Sequence, residues 1–202
     1  MYALVENNEI TKFINHPKSM VIGDVRYPAK IFSVWSASEL NAIGIYEVVF
    51  DNSNFKDEKW YINTNQSYDF DGNEVTASYG TATPKAHADT LWTAQDETDG
   101  KGTEGEVATR GLKYNLIKDL KSQVSNELAK TDWYITRNTE KSTAIPSAIS
   151  THRDAVRTKQ AEMETAITNA SNTPALETLY TYTTNSDGVQ SRPLGELPTL
   201  ES

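Results

Sequence analysis

The chain has 202 residues, 37% of them hydrophobic, and carries 28 acids against 19 bases for a formal charge of -9. A chain so balanced repels phosphates and cannot gain the counterion release that drives nucleic-acid binding, which excludes DNA and RNA as expected partners. It has no cysteine, so disulfides, thiolate metal sites and cysteine nucleophiles are ruled out. A mean hydropathy of -0.59 implies that much of the surface is solvated or covered by another molecule.

Residues 1–92 read as a small β-rich domain. Tyr2-Ala3-Leu4-Val5 runs to a turn at Glu6-Asn7-Asn8-Glu9, and Ile10-Thr11-Lys12-Phe13-Ile14 returns as the second strand of a hairpin. Met20-Val21-Ile22, the Gly23-Asp24 turn and Val25-Arg26-Tyr27 repeat the strand-turn-strand pattern, closed by Pro28. Residues 35–44 predict one short helix, capped by Ser36 or Ser38 and stopped at Gly44, before a strand resumes at Ile45-Tyr46-Glu47-Val48-Val49-Phe50. Phe50, Phe55, Trp60, Tyr61, Tyr68 and Phe70 are expected to supply the core of a small sheet. The acidic run from Asp69 to Glu74 resembles a calcium loop in composition. Its sixth position is Glu74 instead of glycine and its twelfth is Gly80 instead of an acid, so it reads as a hairpin turn.

Residues 93–106, with three glycines and five acids against one lysine, read as an acidic linker. The period then changes. Leu112, Leu116, Leu120, Val124 and Leu128 recur every four residues and spread over about 160° of helix surface, so one face must be buried. A second helix is predicted from Pro146 to about Ala170, with Ile149, Val156 and Met163 repeating every seven residues and His152, Lys159 and Ala166 three residues after them. The two stripes predict an antiparallel helical hairpin. Asn172-Thr173-Pro174 starts a short third helix, giving a helical domain at 107–182, and residues 183–202 read as an extended tail. The fold class is therefore α+β: a small N-terminal β-rich domain followed by an antiparallel α-helical hairpin and an extended C-terminal tail. No stretch approaches the roughly 20 apolar residues of a membrane span, and the start has neither the basic nor the apolar segment of a signal peptide.

Candidate chemistry is sparse. His16, His87 and His152 have no second ligand at a metal-binding spacing, and His152 falls on the apolar seam as a packing histidine. Neither a G-x-S-x-G elbow nor a phosphate-cradling glycine loop occurs, so catalysis, cofactors and metals are not expected. The stretch LAKTDWYITR places an acid, a tryptophan, a tyrosine and an arginine within six positions, and it can be an active site, a binding surface or a packed corner. The corner is the expected one. Trp133 would cover the end of the leucine stripe, and Arg137 would pair with Asp132 or Glu140. The expected structural and interface residues are thus Trp133, Asp132, Arg137, Leu112, Leu116, Leu120, Ile149, Val156 and Met163.

Leu128-Ala129-Lys130-Thr131-Asp132-Trp133, Arg137, Glu140, Ile145-Pro146, His152-Arg153 and Val156-Arg157 together resemble a pattern found near the C-terminus of many bacteriophage tail proteins. That pattern, roughly L-A-x-T-D-W, R-x-x-E, I/V-P and Y-R-x-x-[VL]-R, belongs to tail-fibre assembly proteins and virion proteins of marine phages. His152 stands where the pattern has tyrosine, and Lys141-Ser142 where glycine is common. MYALVENNEI, Arg26-Tyr27-Pro28 and Gly44-Ile45-Tyr46 are similar to the N-terminal domain of the same group. The resemblance implies a non-enzymatic structural protein of the tail, baseplate or fibre-attachment region, made in the host cytoplasm and carried in the virion. It also allows a tail-fibre assembly chaperone, or a receptor- or glycan-binding tail module contacting sugar through Trp60 and Tyr61. Other virion tail proteins are the implied partners, with a homo-oligomer, as a trimer, formed through the heptad seam.

Overall fold

Asn7 and Asn8 adopt φ of 53° and 65°, the primed turn geometry whose twist matches its flanking strands. They join β1 (Tyr2–Glu6) to β2 (Glu9–Ile14). The computed structural model describes residues 1–200 and is a mixed α+β chain, β-rich at its N-terminal end and helical afterwards. Two compact units divide it after Thr83, where the sequence had suggested a break near residue 92.

In the first unit, β1 and β2 are followed by a small hairpin, β3 (Met20–Ile22) and β4 (Val25–Tyr27), and by α1 (Ile31–Val34) and α2 (Ala37–Asn41). Two short helices thus replace the single one expected over 35–44. Ser36 breaks them because its extended backbone starts a capping box: its hydroxyl accepts from Glu39 N–H while the Glu39 carboxylate accepts from Ser36 N–H. Past α2, Gly44 takes φ +80° and its carbonyl accepts from Val5 N–H at 2.8 Å. A Cβ there would lie 2.5 Å from the Val5 carbonyl oxygen, so only glycine lets the helix end run onto β1.

The remaining strands are β5 (Ile45–Asp51), β6 (Tyr61–Ile62), β7 (Ser67–Phe70), β8 (Val75–Ser78) and β9 (Thr83–Pro84). The main sheet has the order β2-β1-β5-β8-β7, with β5 and β8 parallel and the other neighbours antiparallel. Alternate side chains serve two cores, as a period of two requires. Leu4 and Ile45 pack with Ile14, Met20, Ile31 and Leu40 on one face, and Ala3, Val5, Val48, Val75 and Ala77 form the other. The sheet curls into a half-barrel, and Phe13 on one edge strand meets Tyr68 on the other at 4.4 Å between ring centroids. The acidic run is the β7–β8 turn: Asp71 Oδ1 accepts from the N–H groups of Asn73 and Glu74 at 2.8 Å each, which lowers the Asp71 pKa. Of the aromatics expected in the core, Trp60 and Tyr61 are buried, whereas Phe50 and Phe55 are exposed.

The second unit opens with β10 (Thr90–Leu91), α3 (Ala94–Thr98) and β11 (Val107–Thr109), and β10 pairs with β11. Residues 93–106 are therefore structured, not a linker. Trp92 exchanges backbone hydrogen bonds with Gly105 and Glu106, and its indole lies so near Gly102 that a Cβ there would come within 2.3 Å of it. Lys101 neutralises two of the acids, 3.0 Å from Asp96 and 3.1 Å from Asp99. The Thr93 hydroxyl and Lys101 together hold the Asp96 carboxyl down at about 2. Because this folded value lies below the ordinary one, the stabilisation is complete above the usual aspartate range and is lost as pH falls through about 2. An NMR carboxyl titration should therefore place the Asp96 midpoint near that value, and Thr93→Ala should move it upward. An ordinary midpoint in the native chain would overturn this account of the cap.

Four helices follow: α4 (Leu112–Ala129), α5 (Asp132–Lys141), α6 (Ser147–Asn169) and α7 (Thr173–Tyr180). α4 and α6 run antiparallel, since Lys113 Nζ donates to the Thr168 carbonyl at one end and Arg153 donates to the Leu128 carbonyl at the other. Leu116, Leu120 and Val124 on α4, and Ile149, Val156, Met163 and Ile167 on α6, are buried. Asn172 caps α7 by accepting from Ala175 N–H at 2.9 Å. The last stretch is not an extended tail through residue 200. β12 (Thr183–Thr184) pairs with β13 (Gln190–Ser191), and Leu194 is buried with its N–H bonded to the Leu179 carbonyl.

Candidate functional site

The stretch from Leu128 to Arg137 is where the structure departs most from the packed corner expected of it. α4 ends at Ala129, and Thr131 (φ -118°, ψ 3°) breaks the helix before α5 begins. The corner is filled by Thr131 and by Arg153 of α6, both buried, at 1% and 7% exposure. Arg153 Nη1 donates to the Leu128 carbonyl at 2.8 Å and to Thr131 Oγ1 at 2.7 Å, and it lies 2.8 Å from Asp132 Oδ1. The Thr131 hydroxyl itself donates to the Leu128 carbonyl at 3.0 Å. One guanidinium nitrogen thus ties the exposed carbonyl end of α4 to the start of α5, with its positive charge at the negative end of a helix dipole.

Beside this anchor, Lys130 forms an ion pair with Glu127, and its ammonium holds the Glu127 carboxyl below the usual range. His152 is buried, with Nε2 3.3 Å from Glu127 Oε1 but without hydrogen-bond alignment. Packing is its main role, as its place on the seam suggested.

With the corner occupied, Trp133 is turned outward and is 51% exposed. It does not cover the leucine stripe. Its ring lies 3.7 Å from that of Tyr134, centroid to centroid, and the Arg137 guanidinium sits 5.0 Å from the Trp133 ring and 5.6 Å from the Tyr134 ring. The spacing explains the place of Arg137, which is four residues after Trp133 and three after Tyr134, the separations that meet on a helix surface. Arg137 pairs with neither Asp132 nor Glu140; Asp132 is engaged by Arg153. Arg137 Nε is enclosed without a hydrogen-bond partner, and α5 buries none of its residues.

Comparison with family models, curated proteins and solved structures gave no match in any of the three. The surface must be read from its own chemistry. An exposed tryptophan beside a half-buried tyrosine, with an arginine across their faces, is the composition of interface anchors, which gain most when a partner completes their desolvation. Among the described residues no group of three His, Asp or Glu side chains is placed to hold a metal ion.

The expected interface residues therefore fall into two sets. Leu116, Leu120, Ile149, Val156 and Met163 are brought together between α4 and α6, with Leu112 half-buried at the start of α4. Trp133, Asp132 and Arg137 lie apart from them on α5. Thr131, a candidate cap of this turn in the sequence, is the N-cap residue of α5 without a side-chain cap bond, and neither it nor Arg153 was among the expected interface residues. The signal for Arg153 was its place between His152 and Val156 on the apolar arc, where a charged residue needs partners to be buried.

Proposed function

We propose that this chain is a non-enzymatic structural protein of a bacteriophage virion, in the tail, baseplate or fibre-attachment region. Its helical half would serve as an antiparallel hairpin presenting the α5 corner to a neighbouring tail protein. The resemblance of residues 128–157 to tail proteins supports the class. The observation that carries the docking role is the outward Trp133–Tyr134–Arg137 cluster, on a helix with no buried residue yet held at its N-cap by the bond from Arg153 to Thr131. A rigidly held exposed anchor binds at less entropic cost than a mobile one.

An assembly chaperone that holds fibre subunits and then departs uses the same surface and is the second reading. The glycan reading loses its residues, since Trp60 and Tyr61 are each only 3% exposed and offer no face to a sugar. A trimer through the heptad seam would have to open the α4–α6 pair, because Ile149, Val156 and Met163 are already buried within one chain. No helix among the described residues is long and apolar enough to cross a membrane.

Mass spectrometry of purified particles tests the proposal, with this chain expected in stoichiometric proportion to other tail proteins. Presence in infected cells and absence from particles would replace it with the chaperone reading. Trp133→Ala should change stability by no more than about 0.5 kcal/mol, as surface substitutions do. It should lower incorporation by about thirtyfold if Trp133 anchors the interface at about 2 kcal/mol. Wild-type incorporation of that variant would remove α5 from the docking surface.

A further inference from the structure

We propose that a small aromatic pocket in the N-terminal unit binds a quaternary ammonium group. Tyr2 on β1 and Glu47 on β5 are direct cross-strand partners, so their side chains stand on the same face of the sheet. The next pair on that face, Leu4 and Ile45, belongs to the buried core. Tyr2 and Glu47 therefore form the rung at which the core opens to solvent. α1 adds Phe32, Trp35 follows it, and α2 adds Leu40 and Asn41, leaving a recess of about 150 Å³.

Ring contacts fix two of its walls. Tyr2 and Phe32 lie 5.0 Å apart at 51°, and Trp35 is braced edge-on by Tyr27 at 5.9 Å and 80°. Glu47 is the one charged side chain lining the recess, and it has no ion-pair partner among the described residues. No lysine, arginine or histidine lines it, so an anion would meet the Glu47 carboxylate and no compensating positive charge. The Asn41 amide, turned so that its nitrogen donates to the Ala37 and Ile45 carbonyls at 3.0 Å each, is committed to the backbone.

These features select one class of cation. Aromatic faces attract positive charge through their quadrupoles, and a carboxylate at the rim adds a Coulomb attraction. A primary ammonium or a guanidinium would have to replace the water on three or five N–H donors, and the recess offers it a single free carboxylate. A trimethylammonium group has no N–H donor and loses no hydrogen bond on entering. The recess is also of the size that takes a benzene-sized guest.

Choline is the probe, titrated into the full chain by calorimetry and by following the Trp35 indole resonance. A Kd on the order of 1 mM is expected. The uncharged isostere of choline, with a tert-butyl group in place of trimethylammonium, and ethanolamine should each bind at least about fivefold more weakly, as loss of the cation–π attraction or of its hydration-free entry requires. Glu47→Gln, at an exposed position, should weaken choline by a similar factor while leaving the melting temperature unchanged. No saturation at about 100 mM choline, equal binding of the neutral isostere or of ethanolamine, or full affinity in a folded Glu47→Gln variant would each overturn the assignment. Trp35→Phe, which keeps an aromatic wall, should retain the fold and weaken binding; unchanged affinity there would count against the cage.

Discussion

Gly111→Ala should destabilise the chain by about 3 kcal/mol, read from urea unfolding at constant m-value. Gly111 precedes α4 and has no side chain of its own to cap that helix. Its first amides are satisfied by a neighbouring strand of backbone instead: Leu112 N–H donates to the Ala86 carbonyl and Lys113 N–H to the His87 carbonyl, each at 3.0 Å. Gly111 N–H donates to Asp89 Oδ1 at 2.8 Å, which, ahead of the Arg110 guanidinium, lowers the Asp89 pKa. For these carbonyls to reach, residues 86–88 must pass directly over Gly111. A Cβ there would lie 2.2 Å from the Ala88 carbonyl oxygen and 2.3 Å from its carbon, and backbone atoms cannot rotate aside. Its φ of -82° suits any residue, so the penalty comes from the collision and the three capping bonds it breaks, each worth about 1 kcal/mol. A loss below about 1 kcal/mol would mean that the 86–89 segment can move away without releasing the helix.

What the sequence conveys here depends on how local each signal is. The turn at Asn7-Asn8 and the four-residue period from Leu112 to Leu128 are written in neighbouring residues, and the structure has positive φ at the first and buried Leu116, Leu120 and Val124 in the second. Two local signals were outweighed by composition. Thr93 with Asp96 three residues on is a helix start inside the acidic segment, and Asp187-Gly188 is a hairpin turn inside the expected tail. Counting acids and glycines hid the first, and the absence of periodicity hid the second.

The candidate site was less legible, because its parts are joined only by the fold. A tryptophan at the end of an apolar stripe is expected to cover it. Trp133 is displaced from that place by Arg153, a residue from the next long helix, and so faces solvent. The recess among Tyr2, Trp35 and Glu47 is still less visible in sequence, since the register of β1 against β5 brings the first and last of these together.

Arg153→Ala is the substitution that tests how the α5 surface is held. Its Nη1 bonds to Leu128 O and Thr131 Oγ1 are charge-assisted and largely screened from water, worth roughly 1.5 kcal/mol each, so a loss of about 3 kcal/mol is expected. The contact with Asp132 adds little: the Asp132 side chain is 59% exposed, and Asp132→Asn should cost less than about 1 kcal/mol. Lysine should restore part of the loss, because all three contacts come from the single nitrogen Nη1, though an ammonium on a flexible stem holds that position less rigidly. Thr131→Val removes one of the same bonds, so the double variant should lose less than the sum of the two, with a coupling of about 1 kcal/mol or more. The decisive readout is amide hydrogen exchange in α5. If Arg153 anchors the helix, protection there should fall further in Arg153→Ala than protection in α4. Uniform loss across the unit would instead make Arg153 a general core residue, and it would leave the orientation of Trp133 to the turn at Thr131 alone.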